Sequence, residues 1–302
     1  MNFTLKQLSY FLAAAEHQST TAAAAALNVS QPSVSAAIAQ LEAGLGGPLF
    51  TRHQGIGLSM TPMGRRAMKS ARAILTQAAD FNPGLLGTDR ALVGEVELAC
   101  FGDLAPYYLP GLQVALRKRH PALEIVLQDG DFDFVRDSLR HGLAEIAITF
   151  RLGLSEDLLD EVLVSLPVYA VLPVRHRLAK KPTLRLSDLA QEPLVLTRSA
   201  YSESHFLSLF YNAGLEPRRG AVTESFELQR GLVANGFGVA LSYTRPVGRY
   251  SYDGRRLAYR PIADPVPEQP IVLVRHRDFP LSGVTKAVMA LTREYFADLP
   301  RP

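Results

Sequence analysis

Apolar residues at Leu5, Leu8, Phe11, Leu12 and Ala15 recur at spacings of three and four, which predicts a first short helix. Ser19 to Thr21 can cap an alanine-rich helix that follows. Asn28 and Val29 then supply a tight turn, Ser30 can cap a third helix, and Pro32 is tolerated in its first turn. On that helix Val34, Ile38 and Leu41 share one face, while Ser33, Ala36, Ala37 and Gln40 fall on the other. Two short helices joined by so brief a turn predict a helix-turn-helix.

The pattern changes at "PLFTRHQGIGLSMT". Leu49 to Arg52 and Leu58 to Met60 can pair as strands around Gly55 and Gly57, forming a wing. Thr61 and Pro62 read as N-cap and first residue of a long helix. Met63, Ala67, Ala71, Ile74, Ala78 and Phe81 lie along one stripe of it, and "NPG" at 82–84 ends it. A solitary amphipathic helix needs a cover for its stripe, and a second copy of the chain is the natural candidate.

From about Val93 strands alternate with helices: "VGEVELAC", a helix to His120, "LEIVLQD", a helix over 133–141, then "AEIAITF". This is a βαβ pattern and predicts a parallel sheet. A second block follows, with strands near Val162 to Leu172, Leu194 to Thr197 and Gly238 to Ser242. "PIVLVRH" at 270–276 and a final helix over about 282–298 return to the first block. Two α/β subdomains crossed twice by the chain leave a cleft between them, a usual place for a small ligand.

The expected fold is therefore an N-terminal, largely α, winged helix-turn-helix at 1–61 and a linker and dimerisation helix with a hinge at 62–90. An α/β domain of two subdomains, like a periplasmic binding protein, spans 91–302. Subdomain I takes about 91–162 and 268–302, and subdomain II about 163–267.

Composition narrows the function classes. A length of 302 residues favours more than one domain. The net charge of +3 permits a nucleic-acid partner without demanding one. Cys100 is the single cysteine, so no disulfide within the chain and no cysteine metal cluster is expected. The start "MNFTLKQLSYF" lacks the features of a secretion signal, and no stretch approaches the roughly 20 apolar residues of a membrane helix. A cytoplasmic setting, no membrane and no cofactor follow as expectations.

A neutral outward face on the third helix suits a DNA major groove. Small side chains let the backbone approach the bases, serine and glutamine can hydrogen-bond base edges, and Ala36 or Ala37 can touch a thymine methyl. Charge belongs elsewhere, because base contacts specify while phosphate contacts position. The candidate set is Ser30, Gln31, Pro32, Ser33, Ser35, Ala36, Ala37 and Gln40 as the reader. Arg52 on the wing, with Arg65, Arg66 and Lys69, forms the phosphate clamp. The same pattern also describes a helix pair buried against the rest of the protein.

The segment "FLAAAEHQSTTAAAAALNVSQPSVSAAIAQLEAGLGGPLFTRHQGIGLSMTPMG" closely resembles the N-terminal region of LysR-type transcriptional regulators. "LNVSQPSVS", "LE…LG.PLF.R" and the threonine opening the long helix match in order and spacing. "LPGL…RHPALEI", "LRHGLAEIAI" and "LVANGFGVAL" look like the family's effector-binding domain, so the resemblance spans the chain. It implies a homodimer or homotetramer that binds double-stranded DNA and responds to a small-molecule effector. Similar proteins often carry a basic residue near Ala22 and near Ala36. Both are alanine here, so phosphate anchoring is not expected from those two positions.

Candidate effector contacts lie at strand ends. "ACFGDLAPYYLP" follows the first strand of the second domain, and in similar proteins this loop lies in the cleft and usually presents serine or threonine. Here those positions hold Phe101 and Asp103, around Gly102. Asp103 is expected to cap the next helix, with Pro106 in its first turn; capping and ligand contact are both open to it. An aspartate at this end would repel a carboxylate and favours a hydroxyl, an amine or a ring. Phe101 is either a flat apolar wall or plain core. Gly130, Thr149 and Phe150 in one subdomain, and Thr197, Ser199, Ser225 and Phe226 in the other, complete the set. Arg151 and Arg198 can meet a carboxylate or simply face solvent, and Cys100 reads as a small buried hydrophobe.

Two other classes compete. An enzyme would need converging catalytic groups, yet the seven histidines are dispersed. No HxxxH spacing, GxSxG elbow or Walker loop occurs, and "GFGVAL" lacks the third glycine of a dinucleotide fingerprint. A periplasmic solute-binding protein shares the C-terminal architecture but not the winged helix. The expected function is a non-enzymatic, effector-controlled DNA-binding regulator.

Overall fold

Helix α1 (Leu5–Glu16) opens on a reciprocal cap: Thr4 Oγ1 accepts from Gln7 N at 3.2 Å and Gln7 Oε1 accepts from Thr4 N at 2.7 Å. The computed structural model describes residues 3–53, 57–80, 94–198 and 201–300. Ser19 caps α2 (Thr20–Ala26), and Asn28, at φ 53°, makes the left-handed turn that follows. Ser30 caps α3 (Gln31–Leu45), which ends where Gly46 takes φ 79°. Strands β1 (Phe50–His53) and β2 (Gly57–Met60) pair antiparallel as the expected wing.

Thr61 Oγ1 caps helix α4 (Pro62–Asp80) by accepting from Gly64 N at 2.9 Å, while donating to Pro48 O at 2.7 Å. A Cβ at Gly64 would sit 2.1 Å from Leu49 O, so only glycine lets the helix start this close to the wing. A compact core of Phe11, Val34, Ile38, Leu41 and Leu49 holds these elements together, with the Phe11 and Phe50 rings 5.4 Å apart. The α4 stripe departs from expectation. Met68 and Ala71 are buried, and Met63, Ala67 and Ile74 half-buried, in this same core, so much of the stripe is covered within the chain. Phe81, the 82–84 stop and wing-tip Gly55 lie outside the described residues.

The C-terminal half builds two sheets of different kind. In the first, β3 (Gly94–Phe101), β4 (Leu123–Gly130) and β5 (Ile146–Phe150) run parallel, while β12 (Gln269–His276) lies antiparallel between β5 and β6 (Leu158–Leu166), in the order β4-β3-β5-β12-β6. The purely parallel sheet is therefore corrected to a mixed one: the strand that returns late in the chain arrives from the opposite direction. Helices α5 (Ala105–Arg119), α6 (Phe132–His141) and α10 (Gly283–Asp298) pack on this sheet.

In the second subdomain β7 (Tyr169–Pro173) pairs antiparallel with β10 (Ala240–Ser242) and β11 (Leu257–Pro261). Strands β8 (Leu194–Thr197) and β9 (Arg219–Thr223) run parallel. Leu194 bridges to Val239, joining the two pieces. Helices α7 (Leu186–Ala190), α8 (Ser202–Asn212) and α9 (Phe226–Ala234) complete it. The single apolar span expected near Val162 to Leu172 is two strands: β6 stays in the first sheet and β7 begins the second. The chain crosses at Pro167 and Val168 and returns at 262–268, with Ile262 N donating to Val168 O at 3.4 Å. Among the described residues no helix is long and apolar enough to cross a membrane.

Candidate functional site

Helix α3 presents the polar face that its periodicity predicted. Val34, Ile38 and Leu41 are buried to 2% exposure or less, while Ser30, Gln31, Pro32, Ser33, Ala36 and Gln40 are exposed and Ser35 and Ala37 half-buried. Several of these groups are held by neighbours. Gln31 Nε2 donates to Ser35 Oγ at 2.8 Å and to Thr20 Oγ1 at 3.2 Å, and the Ser30 and Ser33 hydroxyls lie 2.7 Å apart. Gln40 Oε1 accepts from Gln7 Nε2 at 2.8 Å. Gln7, which closes the α1 cap, was missed because its tie to Gln40 spans 33 residues.

The basic flank follows directly. Arg65 and Arg66 are exposed on the first turns of α4, and Arg65 Nη1 donates to Met60 O at 3.0 Å, which ties it to the wing's last strand. Arg52 lies on β1 opposite Leu58, with its side chain, like that of Lys69, outside the described residues. Glu42 sets the wing's position, its Oε1 accepting from Leu49 N at 2.7 Å and Phe50 N at 3.3 Å.

Between the two C-terminal subdomains lie two chambers that share Asp103 and Phe226 in their walls. The narrow one, of about 30 Å³, is lined by Phe101, Phe150 and Thr197 from the predicted set. His205, Phe206 and Tyr243, which the sequence did not single out, also line it. Its rings pack closely: Phe101 lies 5.9 Å from Phe150, Phe150 lies 6.1 Å from Tyr243, and Tyr243 stacks on Phe206 at 5.5 Å. His205 Nε2 meets the Tyr243 hydroxyl at 2.9 Å, and burial holds this imidazole below its usual range, hence neutral near pH 7. The wide chamber, of about 520 Å³, is lined by Gly102, Ser225, Tyr107, Glu227 and Arg230, with the loop around Tyr250.

Asp103 does not cap its helix. Helix α5 starts at Ala105, behind Leu104, with no side-chain cap, and Pro106 falls in the first turn as expected. The backbone turn from Phe101 O to Leu104 N, 2.8 Å long, makes the entry, which leaves the Asp103 carboxylate to the cleft. There burial, and then the charge of Glu227, push it up to about 6. Ser225 does cap α9, accepting from Leu228 N at 3.3 Å.

Among the described residues, Gly130, Thr149, Arg151 and Arg198 do not line the chambers. Gly130 O accepts from Gly102 N at 2.7 Å and thereby fixes the loop from behind. Thr149 is 1% exposed, its hydroxyl has no hydrogen-bond partner among the described residues, and it lines neither chamber. Ser199 lies outside the described residues. Arg151 pairs with Asp160, and Arg198 is exposed at a shallow hollow beside Ser225. Cys100 is fully buried, and burial pushes its thiol well above the usual range.

A winged helix-turn-helix with an exposed polar recognition face, followed by two α/β lobes around a cleft, defines a DNA-binding protein that carries a ligand domain. Residues 5–65 match the model of the bacterial regulatory helix-turn-helix protein, lysR family, and residues 89–297 match the LysR substrate binding domain. The chain belongs to the LysR family of DNA-binding transcription regulators, a family of regulators rather than enzymes. HinK, a LysR family transcriptional regulator from Pseudomonas aeruginosa, is 31% identical over 99% of this chain and 100% of its own, with a TM-score of 0.67. The hydrogen peroxide-inducible genes activator of Pectobacterium carotovorum subsp. carotovorum is 27% identical over 96% of each chain. The transcriptional dual regulator GltC of Bacillus subtilis is 27% identical over 78% of this chain and 79% of its own.

Proposed function

We propose that this protein works in the cytoplasm as a homo-oligomer. Helix α3 enters the major groove, and a small molecule in the 101–103, 150, 197 and 225–226 cleft sets how two DNA-reading heads are held. Residues 1–61 are the reading domain, 62–90 the linker and pairing helix, and 91–302 the sensor. The exposed, uncharged face of α3, flanked by Arg65 and Arg66, carries the DNA reading. Ser33 and Gln40 contact base edges; Arg52, Arg65 and Arg66 contact phosphates. The far part of α4, where Ile74 and Ala78 are only half-buried within the chain, continues the apolar stripe and supplies the surface for a second copy. The cleft serves binding and not catalysis.

A response to hydrogen peroxide, which the name of one relative mentions, has no cysteine pair to work through here. This chain has one cysteine, buried on β3. The cleft instead offers stacked rings and a carboxylate, a surface for a bound organic molecule.

Thermal unfolding of the full chain against a library of small aromatics, amines, alcohols and carboxylates tests the sensor. A ligand at about 100 times its dissociation constant should add about 2.7 kcal/mol to the transition of the domain it binds. Phe226→Ala, at the wall shared by both chambers, should weaken that ligand at least about tenfold, the loss of roughly 1.4 kcal/mol. A hit unaffected by this substitution would place the ligand elsewhere.

A further inference from the structure

The wide chamber has an unbalanced charge. Among the described residues that line it, Asp103, Glu224 and Glu227 stand with a single cation, Arg230. That guanidinium is already answered. Its Nε donates to the Tyr259 hydroxyl at 3.0 Å, Nη1 pairs with Glu227 Oε1, and Nη2 donates to Tyr250 O at 2.8 Å and Gly248 O at 3.3 Å. With its side chain 4% exposed, Arg230 is a fixed strut between α9 and the loop at 248–250 and is not free to receive an anion. Its one charge matches one carboxylate, Glu227, whose Oε2 is nevertheless buried without a hydrogen-bond partner among the described residues.

Asp103 is left over. Its carboxylate has no hydrogen-bond or ion-pair partner among the described residues, although it lines both chambers. A half-buried carboxylate without a partner costs free energy unless something pairs with it. The rings of Tyr107, Phe226 and Tyr252 line the same chamber, and aromatic faces attract cations. Phe226 shows the preference already, with the Arg230 guanidinium 6.0 Å from its ring.

We infer that the effector is an organic cation, a protonated amine whose ammonium seats against Asp103 while its carbon frame lies in the wide chamber against Tyr107, Phe226 and Tyr252. The inference rests on the reading of the cleft as the effector site. A carboxylate ligand would add a negative charge to a chamber that already holds a net excess of two. A neutral alcohol would leave the Asp103 charge unanswered. The narrow chamber, at about 30 Å³, admits little more than a group the size of one water, so the body of the ligand stays on the wide side.

Isothermal titration of the full-length protein at neutral pH with benzylamine and cyclohexylamine, against benzyl alcohol, cyclohexanol and benzoate, tests this. The amines should bind, their neutral counterparts at least about tenfold more weakly, and benzoate not at all. Asp103→Asn, which keeps the side chain's size, should lower amine affinity at least about tenfold. Tyr252→Ala, on a ring 87% exposed and hence outside any core, should lower it roughly two- to fivefold. Alcohols or benzoate binding in preference to the amines, with Phe226→Ala abolishing it, would leave the effector cleft standing and overturn the cation. Silence from every probe would overturn the inference together with the reading beneath it. Amine binding unchanged by Asp103→Asn would overturn the seat assigned to the ammonium.

Discussion

Arg72 on the linker helix reaches Glu97 on the first strand of the sensor domain, Nη1 to Oε1 at 3.0 Å, and Gln128 Nε2 donates to the other carboxylate oxygen at 3.2 Å. This ion pair ties the DNA-reading half to the sheet whose β3 ends in the cleft loop. Glu97 stands among acids: its charge helps to raise the carboxyls of Glu95 and Glu145 on top of their burial, and Arg72 opposes both. The arginine is 42% exposed, so its energetic share is modest. A double-mutant cycle of Arg72→Ala and Glu97→Ala in urea unfolding should give a coupling of about 0.2–1 kcal/mol that shrinks with added salt. A coupling of zero at low salt would remove the pair as a link.

The Gln7–Gln40 contact makes a second prediction. Because Gln7 holds the Gln40 amide in one orientation, Gln7→Ala should broaden sequence preference at the base that Gln40 meets, without touching DNA itself. Gln40→Ala should cost roughly 1–3 kcal/mol of discrimination there. Unchanged preference in both variants, measured by selection from random duplexes, would contradict the assignment.

Arg52 and Arg66 should behave differently. Replacing either with alanine should weaken binding to all sequences and lower the salt slope by about one unit. Affinity measured across a salt series separates the two kinds of residue.

These contrasts follow how much was legible in the sequence. Helix α3, the wing and β8 were plain, because each is a local period bounded by its own caps or turns. Strand β9 was missed since Arg219–Thr223 is mostly exposed and offers no apolar alternation, and β11 since Leu257–Pro261 is short and bounded by arginines. In the cleft, Phe101, Asp103 and Phe226 were visible at element ends. His205, Tyr243, Glu227 and Arg230 were not, because they converge from elements far apart in the chain, and only the folded topology gives that proximity. For Asp103 both capping and ligand contact were open, since its spacing from Pro106 fits a cap; a backbone turn makes the helix entry instead and leaves the side chain to the cleft.

That free carboxylate makes stability depend on pH. Its ordinary value is 3.8, and folding raises it to about 6. Between those values the folded chain keeps a proton that the unfolded chain has released, so this group lowers stability as pH rises from about 4 to about 6. Asp103→Asn should therefore stabilise the sensor domain by about 1–3 kcal/mol at pH 7, an upper limit set by about two units at 1.36 kcal/mol each. The gain should vanish near pH 4. Urea unfolding at both pH values checks this, and an equal effect at the two would contradict it.

Gly64→Ala tests the junction between reader and linker. With the added Cβ 2.1 Å from Leu49 O, α4 or the wing must shift, at a cost of about 1–3 kcal/mol. DNA affinity should fall with stability, while ligand binding in the cleft stays unchanged.

The most direct test of the whole account is selection of bound sequences from a random duplex pool by the full-length protein. A two-fold pair of α3 helices should enrich two related half-sites, and Ser33→Ala and Gln40→Ala should change the same positions in both halves. A pool that emerges with no enriched sequence, bound only in proportion to salt, would contradict the central claim that α3 reads DNA.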